Sequence, residues 1–292
     1  MLWVATTLIA AVAQTGRNAA QAGLTGRIGT AGATAVRFIF GLPFALIALA
    51  VAAAVTTLPM PDGTVLRWAV TGAIAQMLAT GFLLLAMQGR GFGVATALSK
   101  TEPVTLALIG ALLLAEPLGW SRIAAITIAV AGVLLVSGAD WSRLGRRSVF
   151  QGVAAGALFG LAAIGFRGAI LALPEGGFFL RALTALALSL AIQTVLALIW
   201  LILFDRAALG GILREWRVSL AAGALGALAS LFWFSGFALT SAANVRTLAL
   251  IEVPLAQVIS GRVFRQSVSA RQWAGMGLIV LGVAWLLLAV VG

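Results

Sequence analysis

Lys100 and Glu102 stand two residues apart in Leu98-Ser99-Lys100-Thr101-Glu102-Pro103, inside an apolar run from about Val94 to Ala115. At roughly 1.5 Å per residue that run is long enough to cross a bilayer. A charge within it is unfavourable by about 2.5–3.5 kcal/mol on insertion scales unless it faces a cavity or a partner. Lys100 is the only lysine among 19 basic residues, which points to a need for a compact or titratable cation. Pairing with Glu102 is the plain alternative, but residues two apart share a helix face only if the helix is broken. Pro103 supplies a break: it removes one backbone donor and pushes Glu102 away from helical dihedrals.

A near twin, Leu250-Ile251-Glu252-Val253-Pro254, follows 150 positions later in another apolar run. Glu102 and Glu252 are candidates to hold a substrate ammonium or to exchange protons, or else to cap the freed backbone donors beside Pro103 and Pro254. Arg17, next to Asn18, and Arg167 lie deep in apolar segments at the same offset of 150, and Arg246 precedes Glu252 by six residues. With Lys100 these cations outnumber the two carboxylates. Such a surplus suits an anionic or zwitterionic cargo, whose carboxylate an arginine can grip bidentately; direct pairing of Arg17 and Arg167 with Glu102 and Glu252 would instead leave a neutral site. Arg37 and Arg181 stand near segment ends and are expected to snorkel to the interface. Phe232-Trp233-Phe234 is a candidate pocket wall or a packing cluster, and Gln76, Gln193 and Gln257 are possible polar liners.

The elements that must carry these residues are membrane helices. The chain has 292 residues, 62% hydrophobic and 9% charged, with mean hydropathy +1.12, against about 25% charged residues in soluble domains. The net charge of +11 comes from arginines scattered singly through short loops. No basic stripe with interleaved aromatics exists, so lipid headgroups rather than nucleic acid are the expected partner. Cysteine, histidine and tyrosine are absent. Thiol chemistry, disulfides, histidine triads and most zinc sites are thereby excluded, and an enzyme, a metal or a cofactor is not expected. No G-x-x-x-x-G-K-[ST] loop for ATP is present. The N-terminus lacks a basic n-region, so the first apolar segment reads as a retained span.

Ten spans are expected, near 2–22, 30–56, 67–87, 94–115, 120–138, 150–172, 178–204, 217–238, 243–263 and 271–291, with longer connections at Asp140–Val149 and Asp205–Trp216. The first divides the chain into 1–140 and 150–292, joined by 141–149. The offset of 150 also aligns Gly132-Val133 with Gly282-Val283. Five is odd, so a tandem copy crosses the membrane in the opposite sense, as an inverted repeat. Interrupted helices at matching places in two halves are the sequence pointer to a transporter's substrate site. Odd-numbered loops hold most arginines, including Arg27, Arg90, Arg143, Arg206, Arg214, Arg217 and Arg265, which places them in the cytoplasm and both termini outside. Gly152, Gly156 and Gly160 form a packing ridge.

The pattern resembles the drug/metabolite transporter superfamily, in its ten-span type with two EamA-like domains. Glu102-Pro103, Leu114-Ala115-Glu116-Pro117-Leu118 and the Gly-rich run Ile126 to Leu135 carry the resemblance; Glu252-Val253-Pro254 and Met276 to Val283 match more loosely. Gln266 stands where the second-half equivalent of Glu116 is expected. The resemblance implies an all-α membrane protein of ten transmembrane helices, two inverted five-helix repeats around a central cavity, in a bacterial cytoplasmic (inner) membrane. It implies movement of small metabolites such as amino acids, with both termini cytoplasmic. The reading reached is a monomeric secondary active transporter, by preference an exporter, of small zwitterionic or anionic metabolites, with proton coupling through Glu102, Glu252 or Lys100. Export of cationic or aromatic drugs and a non-transporting scaffold or lipid-handling role are the alternatives.

Overall fold

A computed structural model describes residues 1–87, 98–117, 119–137, 146–174, 176–254 and 269–291. Arg90, Arg143, Gln257, Arg265 and Gln266, with residues 141–145 of the expected connection, lie outside them. The described chain is all α, in 11 helices. They are α1 Leu2–Ile39, α2 Gly41–Val55, α3 Gly63–Met87, α4 Glu102–Leu114, α5 Trp120–Val136 and α6 Arg146–Ala172. There follow α7 Phe178–Phe204, α8 Arg206–Arg214, α9 Trp216–Leu239, α10 Ala242–Ala249 and α11 Ala270–Val291. Segments made of Ala, Leu, Ile and Val close their backbone hydrogen bonds internally, as hydrocarbon surroundings demand. Five described segments are long and apolar enough to cross a membrane: Gly23–Val55, Val149–Ala172, Phe178–Phe204, Trp216–Leu239 and Ala270–Val290. α4 and α5 are shorter apolar helices.

The stretch named α1 is two helices joined at Gly29, whose φ of 71° and ψ of 168° are open to glycine alone. Gln21 Nε2 donates to the Ala33 carbonyl at 2.7 Å. Twelve residues of straight helix would hold those groups about 18 Å apart, so the chain reverses at Gly29. The reversal falls between the first two expected spans. The Asp205–Trp216 connection, expected as a loop, is instead the helix α8: the Asp205 side chain accepts the Ala208 amide at 3.1 Å and caps its N-terminus.

Two compact units divide the chain, Met1–Ile74 with Gly165–Thr240 and Ala75–Ile164 with Ser241–Gly292. Each draws helices from both sequence halves. In the first, α1 packs along α9, and α6 meets α3 backbone to backbone: a Cβ on Gly165 would stand 2.6 Å from the Gly72 nitrogen.

In the second unit the dominant pairing is α5 with α11. A Cβ on Gly132 would lie 2.6 Å from the Gly275 oxygen and 2.7 Å from the Ile279 nitrogen. One on Gly282 would lie 2.6 Å from the Ala129 nitrogen and 2.7 Å from the Ala125 oxygen. Shifting each of these residues by 150 positions turns the first set of contacts into the second, which is the self-complementary pattern of a two-fold axis. Along the seam the partners run in opposite directions, from Ser121 with Trp285, joined at 2.8 Å, to Val136 with Gly275. The fifth helices of the two sequence repeats are therefore antiparallel neighbours.

Candidate functional site

Both proline-bearing stretches interrupt a helix at equivalent positions. Leu98 and Ser99 are helical, Lys100 and Thr101 form a turn, and α4 restarts at Glu102 with Pro103 in its first turn. α10 ends at Ala249, Leu250 and Ile251 form a turn, and helix resumes over Glu252, Val253 and Pro254. At the breaks the backbone tightens to three-residue bonds, Thr101 N–H to the Leu98 carbonyl and, 150 positions on, Ile251 N–H to the Leu248 carbonyl, each 3.1 Å. Prolines suit such a restart because the first turn of a helix has no intrahelical use for their missing N–H.

Each break presents one cation towards the end of the incoming helix and one carboxylate at the start of the outgoing one. Arg246 occupies the last turn of α10 and Glu102 the first turn of α4, both favourable placements in the helix dipole. The charges then pair across the repeats. Lys100 Nζ bonds Glu252 Oε1, and Arg246 Nε lies 3.1 Å from Glu102 Oε1. Within a repeat, Lys100 does not form its ion pair with Glu102. The second contact is an ion pair without an aligned hydrogen bond between those two atoms, so its attraction is that of charge rather than of a directed N–H. Side-chain exposure is 32% and 21% for Lys100 and Glu252, and 19% and 13% for Arg246 and Glu102. The Lys100–Glu252 pair is the more accessible.

The small-residue ridge of α6 seats the first break. A Cβ on Gly156 would come within 3.1 Å of the Leu98 carbonyl and 3.2 Å of Thr101 Oγ1, and one on Gly160 within 3.3 Å of Thr105 Cβ. The spacing of four had signalled close packing, but nothing in it named the partner. Glu116 folds back along α4: its Oε2 lies 2.8 Å from where a Gly110 Cβ would be, after Ala115 turns left-handed at φ 50°.

The other cations named from the sequence lie in the first unit. Buried Arg17 donates from Nη2 to Asn18 Oδ1 at 2.8 Å. Arg167 Nη1 donates to the carbonyls of Phe237 and, at 2.6 Å, Thr240, so that nitrogen holds the C-terminal end of α9. The cluster in the second unit holds two cations and two carboxylates, whereas Arg17 and Arg167 belong to the first unit. Arg37 has its Nε and Nη2 buried against the protein. It runs beside Arg17 over Gly226, whose missing Cβ would be 3.3 Å from Arg17 Cδ and 3.5 Å from Arg37 Cβ. Arg181 Nε is likewise buried. Trp233 and Phe234 are core residues, Trp233 bonded to Gln14 at 3.2 Å and Phe234 stacked 4.9 Å from Phe166. Among the described residues no group of His, Cys, Asp or Glu could hold a metal ion.

Comparison with known proteins bears on this geometry. The model of the EamA-like transporter family matches residues 1–138 and again residues 147–288. No curated protein matches the chain. Twenty-seven chains of solved structures do. One, described only as "Crystal structure of protein", superposes with a TM-score of 0.73 at 18% identity, covering 98% of this chain and 96% of its own. At that identity the likeness is one of fold.

Proposed function

The chain belongs to the EamA-like transporter family, a family of multi-pass membrane transporters rather than enzymes, and on that premise we propose that it is a secondary active exporter of small zwitterionic metabolites, amino-acid-like for preference. Ten spans would form two inverted five-helix repeats around a central cavity, and alternating access would pass through the paired helix breaks. The antiparallel, exchange-symmetric seam of α5 and α11 supports the inversion.

The observation that carries the cargo class is the balanced cluster of Lys100, Glu102, Arg246 and Glu252. Leaving one member of a half-buried ion pair such as Lys100–Glu252 without its partner is unfavourable by about 1–2 kcal/mol. A cargo with one charge would strand a side chain on entering. A zwitterion would not: its ammonium replaces Lys100 at Glu252 while its carboxylate takes Lys100, and no net charge is buried. A proton arriving at Glu252 would free Lys100 and one arriving at Glu102 would free Arg246, which makes these carboxylates the natural coupling groups.

The test uses purified protein in liposomes, with charge movement recorded on solid-supported membranes during concentration jumps of a metabolite panel. Wild type should give currents with zwitterions that vanish in Glu102→Gln. Full currents in that variant would remove Glu102 from the mechanism. A response confined to organic cations or aromatic drugs would replace the cargo class.

A further inference from the structure

We propose that α8 and its flanks form a binding site for the headgroup of an anionic phospholipid of the phosphatidylglycerol type. α8 joins α7 to α9, both apolar segments of membrane-crossing length, so it lies where the chain leaves and re-enters the bilayer. Nine residues are too few for a stable helix in isolation. Asp205 caps it, and Ala208 and Ile212 bury one face on α1. There a Cβ on Gly32 would stand 3.2 Å from Ala208 Cβ, and one on Gly211 2.7 Å from Ile28 Cγ2.

The opposite face carries Arg206, Gly210 and Arg214 in one row at four-residue spacing, all exposed. A Cβ on Gly210 would meet nothing within 4 Å, so the row is a flat shelf between two arginines whose backbones are about 12 Å apart along the axis. Arg206 Nε is fixed to the Ile202 carbonyl at 2.8 Å, which sets its head at the corner of α7 and α8. Beyond the shelf, Arg217 lies over the ring of Trp216 at 5.5 Å. Phe204, Leu213 and Trp216 are 72%, 67% and 50% exposed, an apolar and aromatic fringe of the kind that settles among acyl chains and carbonyls.

Charge selects the occupant. The two nearby carboxylates are engaged, Asp205 with the Ala208 amide and Glu215 with Arg27 at 2.7 Å. None of the ion pairs among the described residues uses Arg206, Arg214 or Arg217. A phosphodiester above the shelf, with its chains along Phe204 and Leu213, satisfies both the cations and the apolar fringe. A zwitterionic headgroup brings its own ammonium and gains less.

The full-length protein is titrated with phosphatidylglycerol and phosphatidylcholine and its lipid adducts counted by native mass spectrometry. Wild type should retain phosphatidylglycerol preferentially. Arg206→Gln/Arg214→Gln/Arg217→Gln should lose about fivefold in phosphatidylglycerol affinity per arginine, about 100-fold in all. The corresponding triple lysine variant should keep most of the preference, because the charge is retained. Arg67→Gln/Arg122→Gln, which removes an exposed and a half-buried arginine elsewhere, should behave as wild type. The site is refuted if the glutamine variant keeps its preference, if the Arg67/Arg122 control loses as much, or if inorganic phosphate displaces the lipid at equal concentration.

Discussion

Neutralising one partner of the crossed ion pairs should destabilise the protein, and neutralising both should largely restore it. Two unit charges 4 Å apart attract by about 4 kcal/mol at an effective dielectric constant of 20. Lys100 and Glu252 keep 32% and 21% of their side-chain surface exposed, so solvent screens them and a coupling of about 1–2 kcal/mol is expected. Arg246 and Glu102, at 19% and 13%, should couple by about 2–3 kcal/mol. The assay is thermal or denaturant unfolding of the purified protein, followed through its nine tryptophans. The cycle compares wild type, Lys100→Met, Glu252→Gln and the double variant. Each single change strands a charge; the double removes both and should be more stable than the sum of its parts predicts. A second cycle on Lys100 and Glu102 tests the crossing itself, since those two belong to one break. Additive behaviour of Lys100 with Glu252 within about 0.5 kcal/mol, or a Lys100–Glu102 coupling as large as the cross-repeat one, would refute the arrangement.

The seam and the reversal yield two further expectations. Gly132→Ala and Gly282→Ala each drive a methyl into backbone, 2.6 Å from the Gly275 oxygen and the Ala129 nitrogen respectively. Both should lose about 1–3 kcal/mol, by similar amounts because the two sites are equivalent. Gly277→Ala on the same helix, with nothing within 4 Å of its added Cβ, should change stability by less than about 0.5 kcal/mol; equal losses at all three glycines would rule out the seam. Gly29→Ala places a side chain at φ 71° and ψ 168° and should lose about 1–3 kcal/mol. An unchanged unfolding midpoint would mean that the chain does not turn back there.

What was legible in the sequence followed from local chemistry. Pro103 and Pro254 announce breaks because a missing donor acts on its own turn of helix. α7 begins and ends at Phe178 and Phe204, where Gly177 precedes it and Asp205 follows. The offset of 150 could be read at Glu102 and Glu252 because an isolated carboxylate stands out in an apolar run. What could not be read depends on how helices meet. Lys100 and Glu252 are 152 positions apart, and no periodicity carries that pairing. Arg37 looked like a residue at a segment end because it stands near the start of the expected span 30–56, yet its Cβ packs over the bare Gly226. α8 fell within the expected connection between two spans; Gly210 and Gly211 lower its helix propensity, and its docking against Ile28 and Gly32 compensates.

The crossing of the pairs follows from the geometry of each break taken singly. Lys100 and Glu102 flank a turn, one closing a helical segment and the other opening the next, so their side chains leave the backbone in different directions. Arg246 and Glu252 flank the second turn in the same way. In the described ion pairs neither break pairs its own two charges: Lys100 goes to Glu252 and Arg246 to Glu102. Where two such breaks are related by a two-fold axis, each supplies the charge that the other lacks, and both pairs form at once. The cluster is thereby a joint property of the two repeats: moving one break separates a cation and a carboxylate that belong to different repeats, and disturbs both pairs together. Under the proposed function, a zwitterion that took over one pair would act on both repeats from a single position, which is what alternating access would require.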